Sequence, residues 1–189
     1  MRELKDTIYA QFTPAQIKAA NQFMDAMRIQ IYKWKRPLVE LQKLYKQIDA
    51  EVNEAGIPWS ASCKKGCSFC CYINVDVSIM EASLLTPYVR KQDRELMDKQ
   101  KNLSFIQFNE LPYTDRKCIF LEDNKCRAYN DRPLACRTHF VGSLAQKCDT
   151  SGKDQETQIL TNGIISLLRD SFHSVYKNDA NIATQLLKL

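Results

Sequence analysis

Apolar side chains recur three and four residues apart along the first third of the chain: Ile17, Ala20, Met24, Met27, Ile31, Trp34, Leu38, Leu41, Tyr45, Ile48 and Val52. That spacing puts one stripe on one helix face, with a period close to a coiled-coil seam. Thr13 before Pro14 supplies a start, a hydroxyl to cap the first turn and a ring that presets its φ. Gly56 and Pro58 mark the end. Pro37 lies inside the seam without shifting its phase. Its missing N–H and its clash with the preceding turn predict one long helix kinked near 37, rather than a helical hairpin.

Beyond Gly56 the pattern changes. Ser78 with Glu81 forms a capping box, so a helix is predicted to open at Ile79, bend at Thr86–Pro87 and continue to about Leu103. From Glu110 to Lys147 the helical period is lost. The stretch CIFLEDNKCRAY predicts two short strands around the turn Glu122–Asp123–Asn124. NDRPLACRTHFVGSLAQKC predicts irregular chain. Ser151 and Asp154 resemble the start of a last helix with Ile164, Ile165, Leu168, Phe172 and Val175 on its apolar face, and Ile182 to Leu187 form an amphipathic tail. The expected fold is mainly α: a helical domain with a long kinked N-terminal helix and an irregular cysteine-rich core carrying at most a short β-hairpin. Residues 1–59, 60–150 and 151–189 are expected to join in one compact domain.

Composition narrows this picture little and charge narrows it more. The 189 residues hold 44% apolar side chains with only 5 Gly and 6 Pro, which suits one ordinary core and argues against a disordered chain. The start MRELKDTIYAQFT lacks the basic-then-apolar order of a signal peptide, and no stretch approaches the roughly 18 apolar residues of a membrane span. A cytoplasmic protein without membrane contact is expected. The formal charge of +5 invites a nucleic-acid partner. The nearest basic run, Lys33–Trp34–Lys35–Arg36, reads as a solvated helix face, so nucleic acid is not expected. The heptad is expected to pack mainly on the rest of the domain, with a protein partner or a second copy of the chain as its sharper use.

The chemistry lies in eight cysteines. They are spaced Cys63-x3-Cys67-x2-Cys70-Cys71 and, after a gap, Cys118-x7-Cys126-x9-Cys136-x11-Cys148. Thiols stay reduced in the cytoplasm, and the adjacent Cys70 and Cys71 diverge too much to pair well, so a disulfide framework is disfavoured. Thiolates are soft ligands that suit zinc, iron–sulfur clusters or Cu(I). Four complete one tetrahedral site, so eight are enough for two sites or one polynuclear site. Eight thiolates around two divalent centres would also bring the net charge close to neutral. If residues 63–71 coil helically, their cysteines fall on one side while Cys70 and Cys71 point about 100° apart. Two adjacent centres fed by both halves of the sequence are therefore expected.

CKKGCSFCC resembles the CxxxCxxCC signature of the YkgJ-type cysteine-cluster proteins, described as zinc- or iron-chelating domains. CIFLEDNKCRAYNDRPLACR is similar to that family's second block, C-x-F-L…C-x-x-Y…R-P-x-x-C-R. The resemblance spans about residues 60 to 150. It implies that Cys63, Cys67, Cys70, Cys71, Cys118, Cys126 and Cys136 are ligands, with Cys148 as the eighth. It extends to flagellin lysine N-methylases, which implies an alternative: methyl transfer with S-adenosylmethionine, or an iron–sulfur redox enzyme. No Gly-rich loop follows a strand to hold that cofactor in a Rossmann manner. CKKGCSFC also fits the CxxxCxΦC signature of radical S-adenosylmethionine enzymes, Phe69 included. Here it follows a long helix, and too little chain remains after Cys71 for a β/α barrel.

The other residues add context. His139 stands three residues after Cys136, but eight thiolates already suffice, so it is expected beside the centre rather than in it. Arg132 and Arg137 flank Cys136, either as donors to sulfur or as partners in surface ion pairs. Pro133 is expected to fix the turn that presents Cys136, and Phe69, Tyr72, Phe120 and Tyr129 to shield the sulfurs. No Ser–His–Asp order and no distinctive carboxylate pair appear, so no catalytic residue is named.

Overall fold

The structure is a computed structural model describing residues 13–64, 66–149, 159–160, 163–177 and 180–189. The predicted start signal at Ser151 and Asp154 lies outside the described residues. The seam is carried by two helical segments, α1 (Pro14–Tyr32) and α2 (Pro37–Glu54). The expected kink at Pro37 is a full interruption at residues 33–36. Proline drives the residue before it out of helical geometry, and Arg36 duly has φ −130° and ψ 71°. Thr13 and Gln16 close the capping box of α1. A single helical turn, α3 (Ile57–Ser60), follows Gly56, whose φ of +67° ends α2.

The middle of the chain is a series of short pieces. β1 (Asp76–Val77) leads into α4 (Ile79–Leu85), capped by the Ser78–Glu81 box. The chain then bends at Thr86–Tyr88 and enters α5 (Arg94–Gln100). α6 (Phe105–Glu110) starts on a Ser104–Gln107 capping box. The predicted hairpin is present as β2 (Leu121–Glu122) and β3 (Lys125–Cys126). Asp123 and Asn124 both have positive φ, the signature of a two-residue type I′ turn, and Asx residues accept that conformation better than most. One helical turn, α7 (Leu134–Arg137), and β4 (Phe140–Val141) follow. β4 pairs antiparallel with β5 (Ile159–Leu160), after which come α8 (Gly163–Val175), β6 (Ala180–Asn181) and α9 (Ile182–Leu186). β6 returns to pair with β1. The fold is mainly α, as expected, with small two-stranded pairings.

Two hydrophobic cores result. The first joins Leu41, Tyr45, Ile48 and Val52 of α2 to Ile165, Leu168 and Phe172 of α8, and takes in Leu84 of α4 and Leu134 of α7. α1 lies along α8, and Trp34 rests against Phe172 and Tyr176. The second core joins Val77, Ala82 and Leu85 to Met97, Ile119, Phe120, Ala128, Ala183 and Leu186. α4 reaches both cores, and the cysteine-bearing chain runs between them. Among the described residues no helix is long and apolar enough to cross a membrane.

Candidate metal centre

All eight cysteines are half-buried free thiols. The first four do not lie on one helix. Cys67 closes a tight turn, donating its N–H to the Lys64 carbonyl at 2.9 Å, and Gly66 within that turn has φ +92°. Only the 3-10 turn Phe69–Tyr72 is helical. Successive side chains on such a turn are set about 120° apart, yet the Cys70 and Cys71 thiols are close enough to hydrogen-bond to each other rather than pointing to separate neighbours. The two sequence blocks meet where the Cys118 N–H donates to the Cys71 carbonyl at 2.7 Å.

The thiols act on one another in two overlapping groups. Cys118 and Cys136 act on Cys71, Cys126 acts on Cys118 and Cys136, and Cys70 acts on Cys118, Cys126 and Cys136. Cys63 and Cys67 form a second set with Cys148. Cys70 is felt by members of both. The 3-10 turn Ala145–Cys148 lies against the one at Phe69–Tyr72, which brings Cys148 back to the first block.

Each member of the inner set is anchored. Cys118 and Cys126 sit at the hairpin, their sulfurs accepting from the N–H groups of Phe120 and Ala128, the second residue along in both cases. Cys136 lies on α7, which opens at Pro133 as expected. The Arg137 N–H donates to the Pro133 carbonyl at 2.9 Å. Glu81 spans from α4 to this turn. Its Oε2 takes the N–H and hydroxyl of Ser78, while its Oε1 takes the Leu134 N–H at 2.9 Å. Arg137 is buried, stacks over the Tyr45 ring at 4.2 Å and pairs with Asp49 of α2. It also donates to the Asn130 carbonyl. Arg132 covers the exposed Tyr129 ring at 4.0 Å and reaches Asp49 at 3.8 Å.

Charge around the thiols follows from this packing. Burial raises Cys118 to about 12, with Cys126 and Cys70 adding to the effect. Burial likewise raises Cys63, Cys126, Cys136 and Cys148. Cys70 runs the other way. A hydrogen bond from the Cys71 thiol outweighs its burial and lowers it to about 7, with help from Arg132. Cys71, the donor, is raised. Most of these sulfurs therefore carry protons that a metal would have to displace.

The donor set fits a soft metal ion. Arg127 ties to Asp93 and to the Ile119 carbonyl through Nη2 alone, at 2.8 and 2.6 Å. Its buried Nε and Nη1 have no partner among the described residues, and its charge acts on Cys118 and Cys126. The Arg137 Nε is similarly buried with no partner among the described residues. Thiolates gathered on a metal would supply acceptors to such donors. Among the described residues no group of three or more Cys, His, Asp or Glu side chains is gathered closely enough to hold a metal ion.

Other expectations divide. Phe120 is buried, whereas Tyr129 is 60% exposed and covers Arg132 rather than sulfur. Tyr72 stacks on Tyr113 with centroids 4.3 Å apart. Burial lowers the pKa of His139, and its environment shows no thiol acting on it. Sequence reasoning missed Glu81 as an anchor of α7, although the capping box had singled it out; it placed Tyr45 in the seam without linking it to Arg137, and missed Asp49 and Arg127 altogether.

The comparison with curated proteins and that with solved structures each gave no match. The family model "CxxCxxCC: Putative zinc- or iron-chelating domain" matches residues 62–160. That description names no iron–sulfur cluster and no S-adenosylmethionine, so the methyl-transfer and redox alternatives gain nothing from it. The matched segment runs from the residue before Cys63 through Cys148 to the end of β5, more than half of the chain, and the protein belongs to this cysteine-rich metal-chelating family.

Proposed function

We propose that the eight cysteines hold two zinc or iron centres of four thiolates each. The inner centre takes Cys71, Cys118, Cys126 and Cys136, and the outer takes Cys63, Cys67, Cys70 and Cys148. The observation that carries this reading is the Cys118–Cys71 backbone hydrogen bond, which splices the two cysteine blocks together at the adjacent Cys70–Cys71 pair. On this assignment Cys71 serves the second block and Cys70 serves the turn at Cys148. Four thiolates per ion satisfy tetrahedral coordination with no open position, which suits a centre that holds structure. Arg127 and Arg132 offset the negative charge that four thiolates leave on a divalent ion.

On this reading the ions join chain that the apolar cores reach only in part. Structural zinc contributes roughly 10–16 kcal/mol of apparent binding free energy, comparable to a whole domain's net stability of about 5–15 kcal/mol. The test is metal analysis with a visible spectrum on protein purified without air. Two zinc ions in a colourless sample, or iron with sulfur-to-iron absorption, is the expected result, and each outcome fixes the metal. Protein that folds with no bound metal overturns the proposal.

A further inference from the structure

The β1–β6 pairing carries α9 back beside the start of α4, where the Gln185 Nε2 donates to the Val77 carbonyl at 3.1 Å. The end of α8 closes a third side. There the Tyr176 ring is held against Trp34 and Phe172, with centroids 6.2 and 5.3 Å away. Between these elements lies an open cleft of about 330 Å³, and no cysteine is among the described residues that line it. That volume is at the small end of the roughly 300–1,000 Å³ usual for small-molecule sites.

The lining divides by chemistry. Ile79, Val175 and Tyr176 supply apolar wall. Ser78 and Gln185 are buried and already engaged by the fold, Ser78 through its hydroxyl to the Glu81 Oε2 at 2.9 Å. The Glu81 carboxylate is itself taken up by Ser78, the Leu134 N–H and His173. Lys177 and Lys188 are exposed and bring two positive charges to the cleft. Neither has a carboxylate partner among the described residues, and no described lining residue is acidic. Two unpaired ammonium groups beside an apolar wall complement a negative head on an apolar body. Lysine acts as a point charge, so a carboxylate and a phosphate both satisfy it.

We propose that this cleft binds a small organic anion, its apolar body against Ile79, Val175 and Tyr176 and its head between Lys177 and Lys188. The site is separate from the cysteines and does not rest on the two-centre reading. It would give the helical frame a ligand of its own, held by residues of which Val175, Tyr176, Lys177, Gln185 and Lys188 lie beyond the segment that the family model matches.

The test follows the amide resonances of the full-length protein, as purified, while hexanoate, hexyl phosphate or the uncharged 1-hexanol is added. Both anions are expected to shift Ile79, Tyr176, Lys177 and the Gln185 side-chain amide along saturating curves, and the tighter of the two names the head group. The alcohol shares the apolar body and is expected to need roughly tenfold more for the same shifts. The double variant Lys177→Gln with Lys188→Gln changes only exposed side chains, so the fold is kept. It is expected to bind the anions roughly tenfold more weakly and the alcohol as before. Shifts that never saturate overturn the inference. So does an alcohol that binds as tightly as the anions, or an anion affinity that the double variant leaves unchanged.

Discussion

Cys118, Cys126 and Cys136 stand on chain that the two hydrophobic cores hold, whereas Cys63, Cys67 and Cys148 stand on turns. The hairpin carrying Cys118 and Cys126 packs on the second core, and Leu134, at the head of the turn bearing Cys136, belongs to the first. That turn is further fixed by Glu81, and by Arg137 through Asp49. Around the outer set the order comes from backbone turns: Ser62 N–H to the Val141 carbonyl at 2.8 Å, Cys67 to Lys64, and Lys147 to Leu144. The contrast separates two ways of making a metal site. On the two-centre proposal, an ion at the inner set would lock chain that the cores already hold, whereas an ion at the outer set would have to order the turns as well as bind.

The largest effect tests whether the inner centre ties the cores together. Chelation, or Cys136→Ser, is expected to cost several kcal/mol, because the sulfur and its anchors link both cores through one turn. Thermal unfolding followed by circular dichroism should fall sharply for Cys136→Ser and only slightly for Cys63→Ser. Equal losses for the two would erase the distinction between inner and outer sites.

The next effect addresses the anchor without touching a ligand. Asp49→Asn leaves the buried Arg137 guanidinium without its carboxylate, and because Asp49 is 41% exposed the cost is expected at about 1–2 kcal/mol, between a surface and a buried pair. The outer centre should keep its metal in this variant. Inductively coupled plasma analysis alongside a melting curve checks both halves of the statement. Loss of the outer metal, or an unchanged melting temperature, would show that α2 does not hold the inner turn as described.

A smaller effect is visible only as a function of pH. Burial pushes the Glu81 carboxyl up, but His173 and the Ser78 and Leu134 N–H groups outweigh it and hold the group below its ordinary 4.5. A depressed carboxyl stabilises the fold fully above the unfolded-state value and loses that contribution as pH falls through the lower folded-state value. Glu81→Gln should therefore be less stable than the unaltered protein at pH 7, and the gap should close below about pH 4.5. Measuring the difference between the two proteins removes the acid sensitivity of the thiolates, which both share. A gap that is constant down to pH 3 would mean that the Glu81 charge plays no part in anchoring α7.

Several of these features could be read from the chain and others could not. The Ser78–Glu81 box and the β2–β3 turn are local, set by side chains within three or four residues, and pattern reasoning found them; it placed the disturbance at Pro37 but expected a kink where the helix breaks. The Ser104–Gln107 box carried the same kind of signal for α6, although the helical stretch was expected to end at Leu103. The pairings β1–β6 and β4–β5 join strands of two residues, too short to show a period, across gaps of many residues. For the site, the spacing singled out eight cysteines and one adjacent pair, Cys70 and Cys71. Which sulfurs share a set depends on the turn at Gly66 and on where the Cys148 turn returns, and both are tertiary facts. The same holds for Asp49–Arg137 and Glu81–Leu134, whose partners lie 88 and 53 residues apart.

The smallest effect bears on the outer set and comes from backbone alone. Gly66 has φ +92°, and a Cβ there would meet nothing within 4 Å, so Gly66→Ala tests conformation free of any steric clash. Holding an L-residue in left-handed backbone costs roughly 1–2 kcal/mol. If the ion orders this loop, that cost falls on metal binding. The outer affinity should drop by about tenfold, since each 1.4 kcal/mol is a factor of ten. The inner affinity and the melting temperature of the cores should stay where they were, because neither depends on the turn between Cys63 and Cys67. Competition titration resolving the two ions would show one curve shifted and one fixed. A lowered melting temperature with both metals equally tight would mean that the loop is built by packing after all, and the outer site would then belong with the inner one.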